Sequence, residues 1–205
     1  MSGGSTVFFR CQCSSHLSGV ANVSERKGFV MPILSPDDLR MFAEQGYLHV
    51  PGVVPEEKCE AVIAALFEFL GMDRTCPEDW YRAPLKPGGM VELYQHQTLW
   101  DTRQEPRVHQ LFAELLGTEA LWVTIDRAGF KPPRHPEHPE YDHKGFIHWD
   151  VDTSKLPVRF GVQGVLYLSV PPPTREASNV FRGFIAIWRS GLRPSPRIVT
   201  PMLRI

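Results

Sequence analysis

Phe146-Ile147-His148-Trp149-Asp150-Val151-Asp152, approached through the turn Lys131-Pro132-Pro133, is the stretch on which the fold reading depends. In an extended strand successive side chains alternate between faces, so His148 and Asp150 project to one side and Trp149 and Val151 to the other. An imidazole and a carboxylate then point at a common spot. They make up two thirds of the two-histidine, one-carboxylate set that holds non-haem Fe(II) and leaves coordination positions open for chemistry. A bare His-x-Asp pair also reads as a strand whose His is satisfied by a neighbour and whose Asp caps the next turn. The surrounding sequence decides between the two.

Working outward, Leu34-Ser35-Pro36 opens a helix, and Glu44-Gln45-Gly46-Tyr47-Leu48-His49-Val50-Pro51-Gly52-Val53 follows it. The Lys-Pro-Pro turn and His-x-Asp come next, and then Gly161-Val162-Gln163-Gly164-Val165-Leu166-Tyr167-Leu168. In these motifs and their order, residues 31–168 resemble the phytanoyl-CoA dioxygenase family of Fe(II)- and 2-oxoglutarate-dependent oxygenases. The resemblance implies an α+β fold, a double-stranded β-helix (jelly roll, cupin-like) core with N-terminal buttressing helices. It also implies Fe(II) held by His148 and Asp150, 2-oxoglutarate as cosubstrate, and hydroxylation of a small organic or acyl substrate. Lys131, Tyr94, Gln95 and Gln163 are candidates for contacts to cosubstrate or substrate, and each also has a purely structural reading.

At 205 residues, with 42% hydrophobic and 22% charged residues, the composition is that of one ordinary soluble domain with a sizeable core. A net charge of −1 supplies no basic field for nucleic acid. No apolar run approaches the roughly 18 residues that span a bilayer. Neither nucleic acid nor membrane is expected as a partner. Cysteines 11, 13, 59 and 76 form no Cys-x-x-Cys pair and no disulfide framework, which suits a reducing, cytoplasmic setting. Cys59 reads as a buried helix residue, and Cys11 and Cys13 as exposed tail thiols.

Residues 1–30 are rich in Ser and Gly, have no acidic residue before Glu25, and read as a disordered leader or extension. An organelle transit peptide is one alternative, but Arg10 is the only arginine in the first 25 residues. The preferred reading is an upstream extension of a protein that begins at Met31, where the resemblance starts.

Local punctuation predicts three helices. The first has Ser35 as cap, Pro36 in its first position, Asp38 at capping-box spacing, and Gly46 at its end. The second runs from Pro55 to Gly71 with Cys59, Val62, Ile63, Leu66 and Leu70 at helical spacing, and the third from Pro106 to Gly117 with Val108, Leu111, Phe112, Leu115 and Leu116 along one side. Tyr47 to Val50, Leu121 to Phe130 and Val158 to Leu168 read as strands, the last with Gln163, Val165 and Tyr167 on a common face. Residues 72–90, with Trp80, Tyr81 and Lys86-Pro87-Gly88-Gly89, form a binding loop or a plain connection. Met90 to Trp100 is open between strand and helix. Its polar residues Glu92, Tyr94, Gln95, His96 and Gln97 line a pocket or face solvent. His135, His138 and His143 lie in a Pro-rich loop whose spacing matches no standard zinc pattern, and are expected at the surface.

Residues 31–170 therefore read as the N-terminal and first-half portion of an oxygenase domain, and residues 171–205 as an atypical tail. That tail holds six Arg, no Lys, one acidic residue and six Pro, whereas residues 1–170 hold 16 Lys+Arg against 22 Asp+Glu. Pro-rich sequence without alternation does not continue a β fold. Read one base earlier, codons for Ala177 to Ala186 permit Gly-Phe-Gln-Cys-Val-Pro-Gly-Phe-His-Arg. This is similar to the Pro-Gly-x-His-Arg segment that the family places after the strand ending at Tyr167-Leu168. A changed frame near residues 169–176 is the expectation, and transcript and peptide data supporting an intact frame would remove it. In the family the second iron histidine lies beyond that segment, and no histidine follows His148 here. The chain as written thus has a second reading, a truncated non-catalytic family member, and a third, a jelly-roll metal or small-molecule binding module.

Overall fold

The computed structural model describes residues 4–12, 31–82, 89–123, 127–141, 162–169 and 202–204. His148, Asp150 and His143, Cys13, Lys86 to Gly88 and most of the 171–205 tail lie outside the described residues. The helices follow their local signals. In α1 (Pro36–Gln45) the Ser35 hydroxyl accepts from the Asp38 N–H at 3.1 Å, and the Asp38 carboxylate accepts from the Ser35 N–H at 2.9 Å. Both orphan donors of the first turn are satisfied reciprocally, as the spacing predicts. At the other end Gly46 takes a left-handed conformation, with φ of 80°, and its N–H reaches the Phe42 carbonyl.

Helix α2 (Glu56–Leu70) buries Cys59, Val62, Ile63 and Leu66 on the stripe expected of it. Burial raises the Cys59 thiol above its ordinary pKa, because the thiolate would lose its hydration there. The stretch left open between strand and helix holds both, with strand β3 at Met90–Val91 and helix α3 at Gln97–Arg103. Helix α4 (Pro106–Leu116) buries Val108, Leu111, Phe112 and Leu116. It also holds the start of the N-terminal helical segment: the Glu114 carboxylate accepts from the backbone N–H groups of Ile33 and Leu34 at 3.1 and 2.9 Å, and Gln110 Nε2 donates to the Met31 carbonyl at 2.9 Å. Lys58 on α2 donates to Glu105 at the head of α4 at 2.6 Å. Glu105 is only 8% exposed while the Lys58 side chain is 34% exposed, so this pair joins two helices at a partly buried contact.

The strands form one open sheet in the order β2-β7-β6-β1-β5-β3, with β4 paired to β1 off that path. Their ranges are β1 Gly4–Gln12, β2 Leu48–His49, β4 Trp122–Val123, β5 Ala128–Lys131, β6 Val162–Tyr167 and β7 Met202–Arg204. β7 runs parallel to β2 and β6, and the remaining pairs are antiparallel. The architecture is α+β: four helices, two 3₁₀ turns and this open sheet are what the described residues contain.

Within the stretch expected to be a disordered leader, Gly4–Gln12 forms the longest strand of the sheet and lies near its centre. The Leu121–Phe130 strand is divided between β4 and β5, with residues 124–126 outside the described set. One sheet face, with Ala128, Phe130, Val162 and Leu166, joins the helices in a continuous core. Phe67 of α2, Trp80 and Phe130 meet edge to face at that junction, with ring centroids 5.4 to 6.3 Å apart.

Candidate functional site

Strand β5 carries the candidate cation Lys131 to the start of the Lys-Pro-Pro turn. Phe130, fully buried between Phe67 and Trp80, fixes the strand's depth, so alternation turns Gly129 and Lys131 to the face opposite Phe130. Gly89 closes over the strand from the β3 side with φ of 70°, and a Cβ there would overlap the Phe130 carbonyl oxygen. Beyond Lys131 the turn is held by Tyr81, whose hydroxyl donates to the Pro133 carbonyl at 2.8 Å. Tyr141 in turn donates from its hydroxyl to the Tyr81 carbonyl at 2.5 Å.

Trp80 and Tyr81, which the sequence places in a binding loop or connection, are both buried and belong to the core. Tyr81 is the centre of a cluster of rings. His138 stacks on it at 4.6 Å with 9° between planes, His135 lies at 5.2 Å, and Tyr141 meets it edge-on at 5.7 Å. His135 and His138, expected at the surface, keep part of their area exposed and pack the rest against this tyrosine. Imidazole offers a flat face as well as a polar edge, and the Pro-rich loop uses the face. Glu140 sits below its ordinary carboxylate pKa because its own backbone N–H and then His138 favour the charged form.

The other three candidates are engaged differently. Gln95 is exposed, and its Oε1 accepts from the Trp100 indole N–H at 3.1 Å. Tyr94 is half-buried, and its carbonyl accepts from Arg103 Nη1 at 3.0 Å. Arg103 was not singled out in the sequence, yet it is 2% exposed and its guanidinium lies 5.2 Å from the Trp100 ring centroid. The i,i+3 spacing of Trp100 and Arg103 was the available signal. These contacts tie Tyr94 and Gln95 to α3.

Gln163 lies on β6 with Val165 and Tyr167 at alternate positions, as expected, and its side-chain oxygen is enclosed with no hydrogen-bond partner among the described residues. The shared strand β1 gives its relation to Lys131: Lys131 pairs with Gly4, and Gln163 with Arg10. Two strand spacings across and six residues along put the two backbones roughly 22 Å apart on the same face. A single five-carbon diacid does not span that separation.

Among the described residues no group of three His, Cys, Asp or Glu side chains is placed to hold a metal ion. The donor chemistry of His148 and Asp150, an imidazole nitrogen and a carboxylate oxygen, suits ferrous iron, and both lie outside the described residues. No helix among the described residues is long and apolar enough to cross a membrane. No family model, curated protein or solved structure matches the chain.

Proposed function

We propose that this chain is built on the plan of an Fe(II)- and 2-oxoglutarate-dependent dioxygenase acting on a small organic or acyl substrate in a reducing cytoplasm, with a jelly-roll core incomplete toward its C-terminus. The observation that carries this reading is the ordered pair of motifs Lys131-Pro132-Pro133 and His148-Trp149-Asp150. Two features support it. The first motif is a fixed structural feature, capped by the Tyr81 hydroxyl at the end of a buried strand. The residue entering it, Lys131, is an exposed cation at the end of that strand.

In this reading His148 and Asp150 hold the iron. When bound, iron and cosubstrate supply oxidative decarboxylation of 2-oxoglutarate to succinate and CO₂ coupled to hydroxylation of a C–H bond. Lys131 attracts and orients a dicarboxylate by charge. Gln163 offers an amide to a polar group, since its enclosed end lacks a partner among the described residues. Tyr94 and Gln95 contribute from the segment before α3. Two protein donors bind iron less tightly than three and leave more water on it.

The absence of any histidine after His148 favours a second reading, a non-catalytic member of the same plan. A metal or small-molecule binding module without turnover is its variant. Succinate formation from 2-oxoglutarate, under anaerobic Fe(II) loading followed by oxygen, separates them. The comparison is this chain, its His148→Ala variant, and a chain with the restored C-terminal frame. Turnover in the restored chain that His148→Ala abolishes supports the dioxygenase plan, and turnover in the restored chain alone makes the 205-residue form the non-catalytic one. No turnover in any chain, or turnover indifferent to His148, overturns the proposal.

A further inference from the structure

Strand β1 is the sole link, among the described strands, between the two halves of the sheet. On one side it pairs with β5 from Gly4↔Lys131 to Val7↔Ala128, and on the other with β6 from Thr6↔Tyr167 to Cys11↔Val162. The other partner of β5 is β3, the other partner of β6 is β7, and β4 pairs only with β1. Without β1, therefore, β5 and β6 each present a row of unpaired backbone donors and acceptors toward the same gap.

Side chains already in place give the gap a pattern. Ala128, Phe130, Val162 and Leu166 are 0 to 3% exposed and line its inner face, with Gly164 between the last two. Register puts Val7 opposite Ala128 and Leu166, Phe9 opposite Gly164, and Cys11 opposite Val162. In the same register Arg10, the segment's only charged residue, stands opposite Gln163.

We propose that the gap between β5 and β6 is a strand-binding site and that residues 4–12 are its built-in ligand. The site takes an extended segment, antiparallel to both neighbours, in a register that sets Ser5 opposite Phe130, Val7 opposite Ala128 and Leu166, Phe9 opposite Gly164 and Cys11 opposite Val162. The occupant is the chain's own N-terminus. Eighteen residues, 13–30, join Gln12 to Met31 and can reach roughly 60 Å when extended. The far end of that connection is fixed on α4 by Gln110 and Glu114. Covalent linkage gives the strand an effective concentration above that of a second copy in dilute solution. A chain begun at Met31 carries the same gap without its strand. This inference stands independently of the dioxygenase reading.

The test uses the full chain with a protease recognition sequence inserted after Ser18 and cleaved once the protein has folded, under reducing conditions. Before cleavage the protein is expected to be monomeric; a dimer that cleavage dissolves would assign the strand to a second copy and contradict the proposal. After cleavage the N-terminal fragment is expected to stay with the body through size exclusion. A labelled peptide of residues 4–12 is expected to exchange into the site, and an order-scrambled peptide to bind at least tenfold more weakly. Release of the fragment from a body that keeps its cooperative thermal transition, or equal binding of the scrambled peptide, overturns the inference. Should the body precipitate on cleavage, excess 4–12 peptide present during cleavage is expected to keep it soluble, and failure to do so also overturns it.

A second measurement needs no cleavage. In Val162→Cys the introduced thiol lies opposite native Cys11, so oxidation is expected to give a Cys11 crosslink, located by peptide mapping, that is lost on adding Cys11→Ser. Crosslinking to other cysteines alone rejects the register.

Discussion

At Gly89 the backbone has no room for a side chain. Its φ of 70° belongs to the left-handed region, and an added Cβ would overlap the Phe130 carbonyl and come within 2.9 Å of the Lys131 side chain. Gly89→Ala is expected to lower stability by about 1–3 kcal/mol, read as a shifted urea midpoint, from conformational strain alone. An unchanged midpoint would mean that the approach to β5 is looser than described. Tyr81→Phe is a gentler change: it removes only the hydroxyl that donates to Pro133 and should cost about 1 kcal/mol. If the turn orients Lys131, the same variant raises the KM for 2-oxoglutarate in a turning-over chain more than it lowers kcat. Neither contact was legible in the sequence. The motif Lys131-Pro132-Pro133 is visible as a string, but the tyrosine that holds it lies 52 residues away from Pro133, and only the packed core brings the two together.

Helices are where sequence and structure agree most closely, for a physical reason. Ser35 and Asp38 satisfy each other's backbone within four residues, and Gly46 and Gly71 end their helices through bonds to the preceding turn, so the information is local. Strand β1 is the opposite case. Gly4-Ser5-Thr6-Val7-Phe8-Phe9-Arg10-Cys11-Gln12 lies among Ser- and Gly-rich residues, and its pairing partners are more than a hundred residues away. Alternation is also weak there, since Val7, Phe8 and Phe9 run consecutively.

The helices also make a pH prediction. Hydrogen bonds from the Ser35 hydroxyl and backbone hold Asp38 below its ordinary 3.8, and the Arg74 hydrogen bond holds Glu60 below its ordinary 4.5. In that window the unfolded chain binds more protons than the folded one, so the stability these carboxylates confer is full above about pH 4.5 and is lost as pH falls through their folded values. Both lie at the surface, where solvent screening keeps each contribution small. Urea midpoints measured from pH 7 to pH 3 should fall on the acid side, and Glu60→Gln should flatten that fall. An identical acid limb in the variant would remove Glu60 from the account. Lys58 works in the other direction: Glu105 raises it above its ordinary 10.5, so its contribution is full below that value and disappears as pH rises through its folded value.

For the whole molecule, the α+β organisation was legible from helix signals and alternating strands, whereas the order of strands in the sheet was not. Composition marked the change of character at residue 171, because charge balance and proline content are visible without any structure. The candidate site was legible only as residue types. Alternation correctly gave Gln163 a common face with Val165 and Tyr167, but the span from Lys131 to Gln163 depends on how many strands intervene, and β1 is the strand that intervenes. The most direct test of the functional account is an anaerobic Fe(II) titration of the full chain with and without 2-oxoglutarate, followed by calorimetry and metal analysis. The account expects one Fe(II) per chain, tighter with 2-oxoglutarate, lost in His148→Ala and in Asp150→Ala. Stoichiometric binding that survives both substitutions, or no binding in the intact chain or in its frame-restored version, would contradict it.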